Sequence, residues 1–433
     1  MALLVHAAES LRPRATKVWW RSVPWVWKGS LAILDQGLIA GTNFLLNILL
    51  ARWLAPEQYG VYALAFAGFL FLAALYDALL LEPMAVLGPV AYQNRRREYL
   101  GVLLGIQGGL GVAVLVVLGT TAALGRVYSL ELARALAGLA VAAPCILLFW
   151  LARGACYLDL APGTAVRGAL LYATAVLGGL WGVYRSGRLS PLSAFLLMGG
   201  GSLVVALFLL ARCRPSVKSA TDRTEWAGVW KRHWAWGRWE LGASVVSSIT
   251  QNISYVLAGA FLGMAEVGGL KALMNLVLPV NHTTMALRRL AQPYVSGVSG
   301  EQGYPAARGW VRKIGWLFAA GGLVYFAAIS GWREPVLRLL YGGNFTEHVG
   351  LVPWVALCVA ISSSAYGFMV GLRAVQRPAS ILLVHGVEAV VLVGVGLPAT
   401  WLYGLPGMIG AGVVSSLSRL VMSAMEFRRV GHE

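Results

Sequence analysis

Polar side chains that follow one another in stripes along apolar segments are the residues of this 433-residue chain that could do chemistry. Ionisable groups inside a membrane-crossing helix are costly, so they indicate a functional site, above all when they share a face. At 100° of rotation per residue, each of three segments confines its polar residues to an arc of about 40° to 120°. The stripes consist of Asp35, Gln36, Asn43 and Asn47; of Glu240, Ser244, Ser247, Ser248, Gln251 and Tyr255; and of Lys271, Asn275, His282 and Arg289. They predict a hydrophilic cavity that the three segments share.

Arg288 lies on a face next to that of Arg289, so the third segment carries two neighbouring guanidinium groups. Guanidinium groups suit an anionic headgroup because they donate paired hydrogen bonds. The alternative is that both arginines only fix the orientation of the chain in the membrane. For the stripes as a whole the alternative is structural, since amides and hydroxyls also bond between helices and long cations reach to the membrane surface.

Two further pairs of ionisable residues lie inside apolar segments. Asp77 with Glu82, and His385 with Glu388, are candidates for carrying a coupling ion or a proton. A His and a Glu three residues apart on a helix face the same way and could pass a proton. An internal ion pair between His385 and Glu388 is the alternative.

Motifs for covalent chemistry are missing from the sequence. It contains no GxxxxGK phosphate loop, no HExxH motif and no soluble segment large enough for an ATPase. The four cysteines, Cys145, Cys156, Cys213 and Cys358, form no CxxC pair and are expected to be small apolar fillers. We therefore expect a protein that is not an enzyme and that needs no cofactor and no metal.

The composition is that of a membrane protein, with 58% hydrophobic and 12% charged residues. Apolar runs near the length that a bilayer core of about 30 Å requires recur along the chain. Because no alternating pattern typical of a barrel is present, we expect an all-α polytopic membrane protein. The twelve predicted spans are 30–54, 60–82, 99–123, 132–152, 164–184, 191–211, 239–263, 267–290, 310–332, 349–372, 379–401 and 405–426.

The positive residues predict the orientation of these spans. Of the 35 Lys and Arg residues, 27 fall on the side of the two termini and eight on the other, which predicts cytoplasmic ends. The net charge of +17 is spread between the spans, so we expect contact with anionic membrane lipids and no nucleic-acid partner. In the connection 212–238, basic residues alternate with tryptophans, a mixture typical of a membrane surface.

This connection divides the chain into two halves of six spans. The predicted units are an interfacial N-terminal segment (1–29), a first lobe (30–211), the linker (212–238), a second lobe (239–426) and a cytoplasmic tail (427–433). A shift of 208 residues aligns Asn43 with Gln251 and Gly60 with Gly268. An even number of helices per half makes the repeats parallel, with a central cavity between the two lobes.

The stretch 45–64, LLNILLARWLAPEQYGVYAL, resembles the first helical hairpin of the Wzx-type polysaccharide-biosynthesis flippases of the MOP superfamily. In that family the first helix ends in an L-x-P-E-x-Y/F-G turn, and this chain has LAPEQYG from Leu54 to Gly60. The preceding segment from Asp35 to Asn47 and the following LYDALLLEPMAVLGP are similar to its O-antigen translocase-like branch. The resemblance covers about residues 30–90.

This resemblance implies a MATE-like, two-lobed flippase in the bacterial cytoplasmic membrane. Its cargo would be a polyprenyl-pyrophosphate-linked oligosaccharide for cell-surface polysaccharide or exopolysaccharide, and its partners the polysaccharide polymerase and export machinery. The family fixes no binding residue by motif, so the resemblance adds none to the candidates above.

Two other functions remain open at this stage. A cation-coupled multidrug exporter of the same superfamily would use acidic cavity residues, which Asp35, Asp77, Glu82 and Glu388 could supply. A membrane glycosyltransferase or polysaccharide polymerase would also handle polyprenyl-linked sugars. Such enzymes usually present a large outer loop, whereas the predicted outer connections of this chain are short.

Overall fold

A computed structural model describes residues 23–430, apart from positions 93, 128, 217, 220–222 and 376. All regular structure within these residues is helical, so the predicted fold class is confirmed. The helices are α1 (Val23–Trp53), α2 (Pro56–Tyr76), α3 (Glu82–Ala91), α4 (Arg96–Gly125), α5 (Leu130–Leu158), α6 (Pro162–Arg185), α7 (Pro191–Cys213), α8 (Arg223–Phe261), α9 (Met264–Gly331), α10 (Arg333–Tyr341), α11 (Val352–Ala374) and α12 (Pro378–Val430). Most of the predicted N-terminal segment, 1–29, and residues 431–433 lie outside this description.

Nine helices of the described chain are long and apolar enough to cross a membrane by length and composition. Each of the twelve predicted spans nevertheless falls largely on a helix, and α9 and α12 each hold two of them. These long helices bend at Gly303 (φ +78) and Gly404 (φ +64), where left-handed backbone favours glycine. Polar residues lower the hydropathy of α8 and of the first part of α9, so neither is among the nine. The chain is a multi-pass membrane protein.

The helices pack into two lobes, α1–α7 and α8–α12. In the first lobe α5 packs against α4 and α7, and α1 against α6; in the second, α11 packs against α9 and α12. Glycines allow close approach at these crossings, as is common between membrane helices. A Cβ on Gly199 would lie 2.6 Å from the Cα of Ala142, and one on Gly367 would lie 2.5 Å from the Cα of Gly315.

The second part of the predicted linker continues directly into α8 and packs on the first lobe. His233 is fully buried there. Its Nδ1 donates to the carbonyl oxygen of Leu79 at 3.2 Å, because that oxygen can only accept, and its Nε2 lies 2.8 Å from the hydroxyl of Tyr99. Trp234 beside it is exposed, as contact with a membrane surface would require. The linker therefore also has a packing role that its charge pattern did not predict.

The crossing of α9 and α11 offers a matched test of glycine packing. A Cβ on Gly322 would lie 2.9 Å from the Cα of Ala360, whereas one on the adjacent Gly321 would meet no atom within 4 Å. We expect Gly322→Val to destabilise the protein by about 1–3 kcal/mol through overpacking. Gly321→Val should change stability little. Thermal unfolding of the purified variants in one detergent measures both, and equal midpoints would contradict this packing.

Candidate functional site between two helical lobes

The two lobes touch where α2 and α9 begin. A Cβ on Gly60 would lie 1.6 Å from the carbonyl oxygen of Met264, and one on Gly268 would lie 2.5 Å from that of Pro56. The two backbones are therefore in direct contact, which only glycine permits. Gly60 and Gly268 are also the pair that the 208-residue shift aligns. The inferred repeat thus places equivalent glycines at one contact between the lobes.

Hydrogen bonds near this contact also join the two lobes. The buried Asn275 on α9 donates through Nδ2 to the hydroxyl of Tyr59 on α2, at 2.8 Å. The segment after α10 crosses over the end of α1, where Asn344 donates to the carbonyl oxygen of Ala51 at 3.1 Å. Left-handed backbone at Gly342, Gly343 and Phe345 makes this crossing possible. We call this set of contacts the closed end.

Away from the closed end, α1 and α9 become more exposed. Along 27–41 of α1, Asp35 is the one buried residue, whereas buried residues are frequent along 42–51. On α9 the order is reversed, with burial along 267–276 and exposed side chains at Asn281, His282 and Thr283. We call the less buried region between α1 and α9 the cleft. Beside it α8 still contacts the first lobe, since a Cβ on Gly237 would lie 2.6 Å from the carbonyl oxygen of Ala78.

The stripe on α8 supplies exposed polar groups in this region. Glu240 and Gln251 are both exposed, and Gln251 donates through Nε2 to the hydroxyl of Ser247 at 2.8 Å. Polar residues in the middle of a membrane helix are tolerated where they meet water or other polar groups. The placement of Glu240, Gln251 and His282 is thus compatible with the predicted cavity.

A second cavity, of about 640 Å³, lies inside the first lobe among α1, the turn between α2 and α3, α3, α5 and the start of α4. Asp35 is fully buried beside it, and Arg153 holds it with Nη2 at 2.6 Å and Nε at 2.8 Å from Oδ2. Tyr157 donates to the same oxygen at 2.5 Å. Arg153 also donates to the amide oxygen of Gln36 at 2.9 Å. A buried carboxylate needs such pairing, because desolvation alone would be costly.

Asp77 and Glu82 line this first-lobe cavity from a distorted part of the second span. Residues Asp77–Leu81 form a π-helical turn between α2 and α3. Such turns are frequent at functional sites because they change the direction in which side chains project. The turn lies next to the contact of Leu79 with His233 on the linker.

The two amides of the first stripe have different surroundings. Asn43 lines the first-lobe cavity and accepts a bond of 3.4 Å from the hydroxyl of Tyr172. Asn47 is buried and donates to the carbonyl oxygen of Asn43 at 2.7 Å, while its own Oδ1 is buried with no protein partner. Asn47, like Asp35 and Asn275, therefore faces packed protein, although all three were predicted to line an open cavity.

The structure brings His385 and Glu388 into contact, an arrangement that both a proton relay and an ion pair require. Glu388 lies 3.2 Å from Nδ1 of His385 and 3.3 Å from Nη1 of Arg419. Arg419 also lies over the ring of Tyr366, at 5.3 Å. This network joins α12 to itself across the bend at Gly404 and to α11.

Two predicted cavity residues, Arg288 and Arg289, lie on α9 beyond His282, and their side chains are outside the described residues. Lys271, nearer the closed end, lies with its Nζ 5.7 Å from the rings of both Phe66 and Tyr255. No carboxylate of the described residues pairs with Lys271. Aromatic faces stabilise such a cation but do not neutralise it.

Sequence reasoning missed Arg153 and Tyr59. Arg153 was counted with a connection, but α5 continues to Leu158 and places it inside the lobe. The spacing of Arg153 and Tyr157, four residues apart on one helix face, was the available signal. Tyr59 was noted only as part of the LAPEQYG turn, where nothing indicates a bond to a residue 216 positions away.

The sequence and the fold can be compared with those of known proteins. No protein-family model and no curated protein matches the sequence. An inward-facing multidrug-resistance MATE transporter of the MOP superfamily superposes with a TM-score of 0.76 and 14% identity, covering 93% of this chain and 99% of that one. The chain has the MOP-superfamily fold.

Two other structures with this fold superpose less closely. The lipid II flippase MurJ, in an inward closed conformation, gives a TM-score of 0.64 at 10% identity, over 92% of this chain and 87% of that one. An outward-facing MATE transporter gives 0.62 at 14% identity, over 94% and 96%.

The closed end can be tested with two glycines of α2, Gly60 and Gly68. Gly60→Ala should force α2 and α9 apart, whereas Gly68→Ala should not, since a Cβ on Gly68 meets no atom within 4 Å. In a cysteine-free background, Ala272→Cys on α9 reports this opening because Ala272 is fully buried. We expect its reaction with a polar maleimide to accelerate in the Gly60→Ala variant only. Unchanged reactivity in both variants would contradict a glycine-dependent closure.

The ion pair of the first lobe can be tested by removing one partner at a time. Arg153→Ala leaves the buried Asp35 carboxylate without its cation, which should cost about 3–5 kcal/mol. Adding Asp35→Asn to this variant removes the buried charge and should restore much of that loss. Abundance in the membrane and thermal unfolding measure both effects. A double variant that is as unstable as Arg153→Ala would mean that the pair has no such role.

Proposed function

We propose that this chain is a flippase that moves a polyprenyl-pyrophosphate-linked oligosaccharide across the bacterial cytoplasmic membrane by alternating access. The fold, which MATE transporters and the lipid II flippase MurJ share, supports transport. The resemblance of 45–64 to Wzx-type proteins supports a sugar-linked cargo. The observation that carries the proposal is the uncovered half of α1 beside the cleft.

This half of α1 offers a lateral way into the cleft. A Cβ on Gly37 or Gly41 would meet no atom within 4 Å, so no neighbouring helix covers that face. Exposed Ile33 and Leu34 stand beside exposed Gln36. A molecule with a polar head and a long apolar chain fits such a boundary, since its head can enter the cleft while its chain stays in lipid. A compact soluble molecule has no need of this opening.

The charge of Lys271 supports an anionic headgroup. A cation that is half-buried in a membrane protein needs a counter-charge, and none of the described carboxylates provides it. A diphosphate can, through charge-assisted hydrogen bonds. Arg288 and Arg289, about four to five turns further along α9, would meet the headgroup first at the mouth of the cleft. Gln251 and His282 would contact the sugar.

Other parts of the proposal follow from the predicted topology. Cytoplasmic termini place the closed end outside, so the cleft faces the side on which lipid-linked sugars are made. Asp77 and Glu82 in the first-lobe cavity are the proposed site of a coupling ion or proton. The polysaccharide polymerase and export machinery would receive the cargo on the outer side.

Cation-coupled drug export is the second candidate, and the first-lobe cavity favours it. Asp77 and Glu82 line this cavity with no carboxylate-neutralising bond among the contacts described, so a cation could bind between them. Exporter and flippase differ in the cargo that crosses, and the following experiment separates them.

The flippase proposal predicts where cargo accumulates when the protein is depleted. Lipid-linked repeat units should build up on the cytoplasmic face, and surface polysaccharide should fall. Sensitivity to cationic drugs should not change. Labelling of lipid-linked sugars in sealed, oriented vesicles with a membrane-impermeant reagent measures their sidedness. Repeat units on the outer face of depleted cells would contradict a flippase, and drug hypersensitivity alone would favour the exporter.

Lys271 variants test the site within that assay. Lys271→Arg keeps the cation and should retain transport in part, whereas Lys271→Gln should lower it at least tenfold, the effect of about 1.4 kcal/mol. Lys313→Gln, which removes a lysine that lies over Trp310 away from the cleft, is the control. Membrane abundance is measured for each variant. Normal transport by an abundant Lys271→Gln protein would exclude this lysine from headgroup binding.

A further inference from the structure

A groove of about 650 Å³ lies in the second lobe, away from the cleft. Its walls come from α11, from the end of α12 and from the part of α9 after Gly303. None of its lining residues lies on α1, on α8 or on the first part of α9. The groove follows α9 from Tyr304 to Ala319, a distance of about 22 Å at 1.5 Å per residue.

Charge and apolar surface occupy opposite ends of this groove. Arg308, Arg312 and Arg428 lie at the end near Tyr304. Trp316 and Ala319 line the other end, together with Leu420 from α12. This order, from three cations to an apolar channel along a membrane helix, corresponds to the order of a phospholipid, which has an anionic head followed by acyl chains.

The three arginines have no acidic partner among the described residues, although nearby arginines do. Arg429 pairs with Glu426 at 2.7 Å and Arg419 with Glu388 at 3.3 Å. Arg308, Arg312 and Arg428 are therefore free to bind an external anion. Basic pockets between membrane helices are the kind of site at which anionic lipid headgroups bind.

The walls of the groove are held together independently of any ligand. Tyr304 donates through its hydroxyl to the carbonyl oxygen of Phe427 at 2.8 Å, which ties α9 to the end of α12. The ring of Phe427 lies 5.3 Å from that of Tyr304 and 6.2 Å from that of Phe368 on α11. A preformed groove binds more tightly because little has to be ordered on binding.

We propose that this groove is a binding site for one anionic phospholipid of the surrounding membrane, with its phosphate among Arg308, Arg312 and Arg428 and an acyl chain along Gly315 and Ala319. The site is separate from the cargo cleft. The lipid would bridge α9 and α12 at the end of the second lobe and so stabilise their packing.

The test measures binding of phosphatidylglycerol to the purified protein by native mass spectrometry, with phosphatidylcholine as the neutral reference. Arg308→Gln with Arg312→Gln should raise the Kd for phosphatidylglycerol about tenfold or more, since each arginine contributes on the order of a fivefold effect. Lys313→Gln removes one charge but does not line the groove, so it should leave the Kd unchanged, whereas Arg312→Gln, which also removes one charge, should raise it about fivefold. An equal loss in both proteins would overturn the proposal and indicate nonspecific attraction.

A second variant tests the apolar part without altering charge. Ala319 lines the apolar end of the groove and is only partly buried, so Ala319→Leu fills the groove at that end. It should weaken phosphatidylglycerol binding as the double arginine variant does. Unchanged binding would overturn the proposed position of the chain. If inorganic phosphate alone displaced phosphatidylglycerol from the wild-type protein, the assignment to a phospholipid would be overturned. Tighter binding of a polyprenyl phosphate than of phosphatidylglycerol would overturn it as well.

Discussion

The direct backbone contact between α2 and α9 at Gly60 and Gly268 sets the geometry on which the rest of the site depends. Near this contact α1 and α9 are buried, and away from it both become more exposed, which defines the cleft between them. The bonds from Asn275 to Tyr59 and from Asn344 to α1 lie around the same contact. The buried ring of Tyr59 also packs against that of Phe345, at 5.9 Å, so apolar contact adds to these bonds.

Some charged side chains of the described residues form ion pairs inside the lobes, and others are unpaired. Inside the lobes, carboxylates and cations neutralise each other, as in Asp35 with Arg153 and Glu388 with Arg419. Of the cations without an acidic partner among the described residues, Lys271 lies at the cleft and Arg308, Arg312 and Arg428 line the groove of the second lobe. Paired charges thus hold each lobe rigid, while unpaired cations remain available to anions from outside the protein.

The sequence predicted the fold class and the positions of the helical spans, because both depend on local hydropathy. It could not predict which neighbour covers a polar face. Helical periodicity placed Asp35 and Asn275 on stripes, but their partners, Arg153 and Tyr59, lie more than one hundred residues away. The same limit explains why Arg153 was assigned to a connection. The predicted span ended at residue 152, whereas α5 continues to Leu158.

The account as a whole requires that the closed end opens during each transport cycle. Ala51→Cys and Asn344→Cys place two thiols where Asn344 now bonds to the backbone of Ala51, so a reversible bis-thiol cross-linker can join the lobes there. The decisive measurement is export of lipid-linked oligosaccharide before cross-linking, after cross-linking and after release. The account predicts that export stops when the two positions are joined, returns on release, and is unaffected in either single-cysteine protein. Export that continues at its normal rate with the lobes cross-linked would contradict alternating access through this cleft.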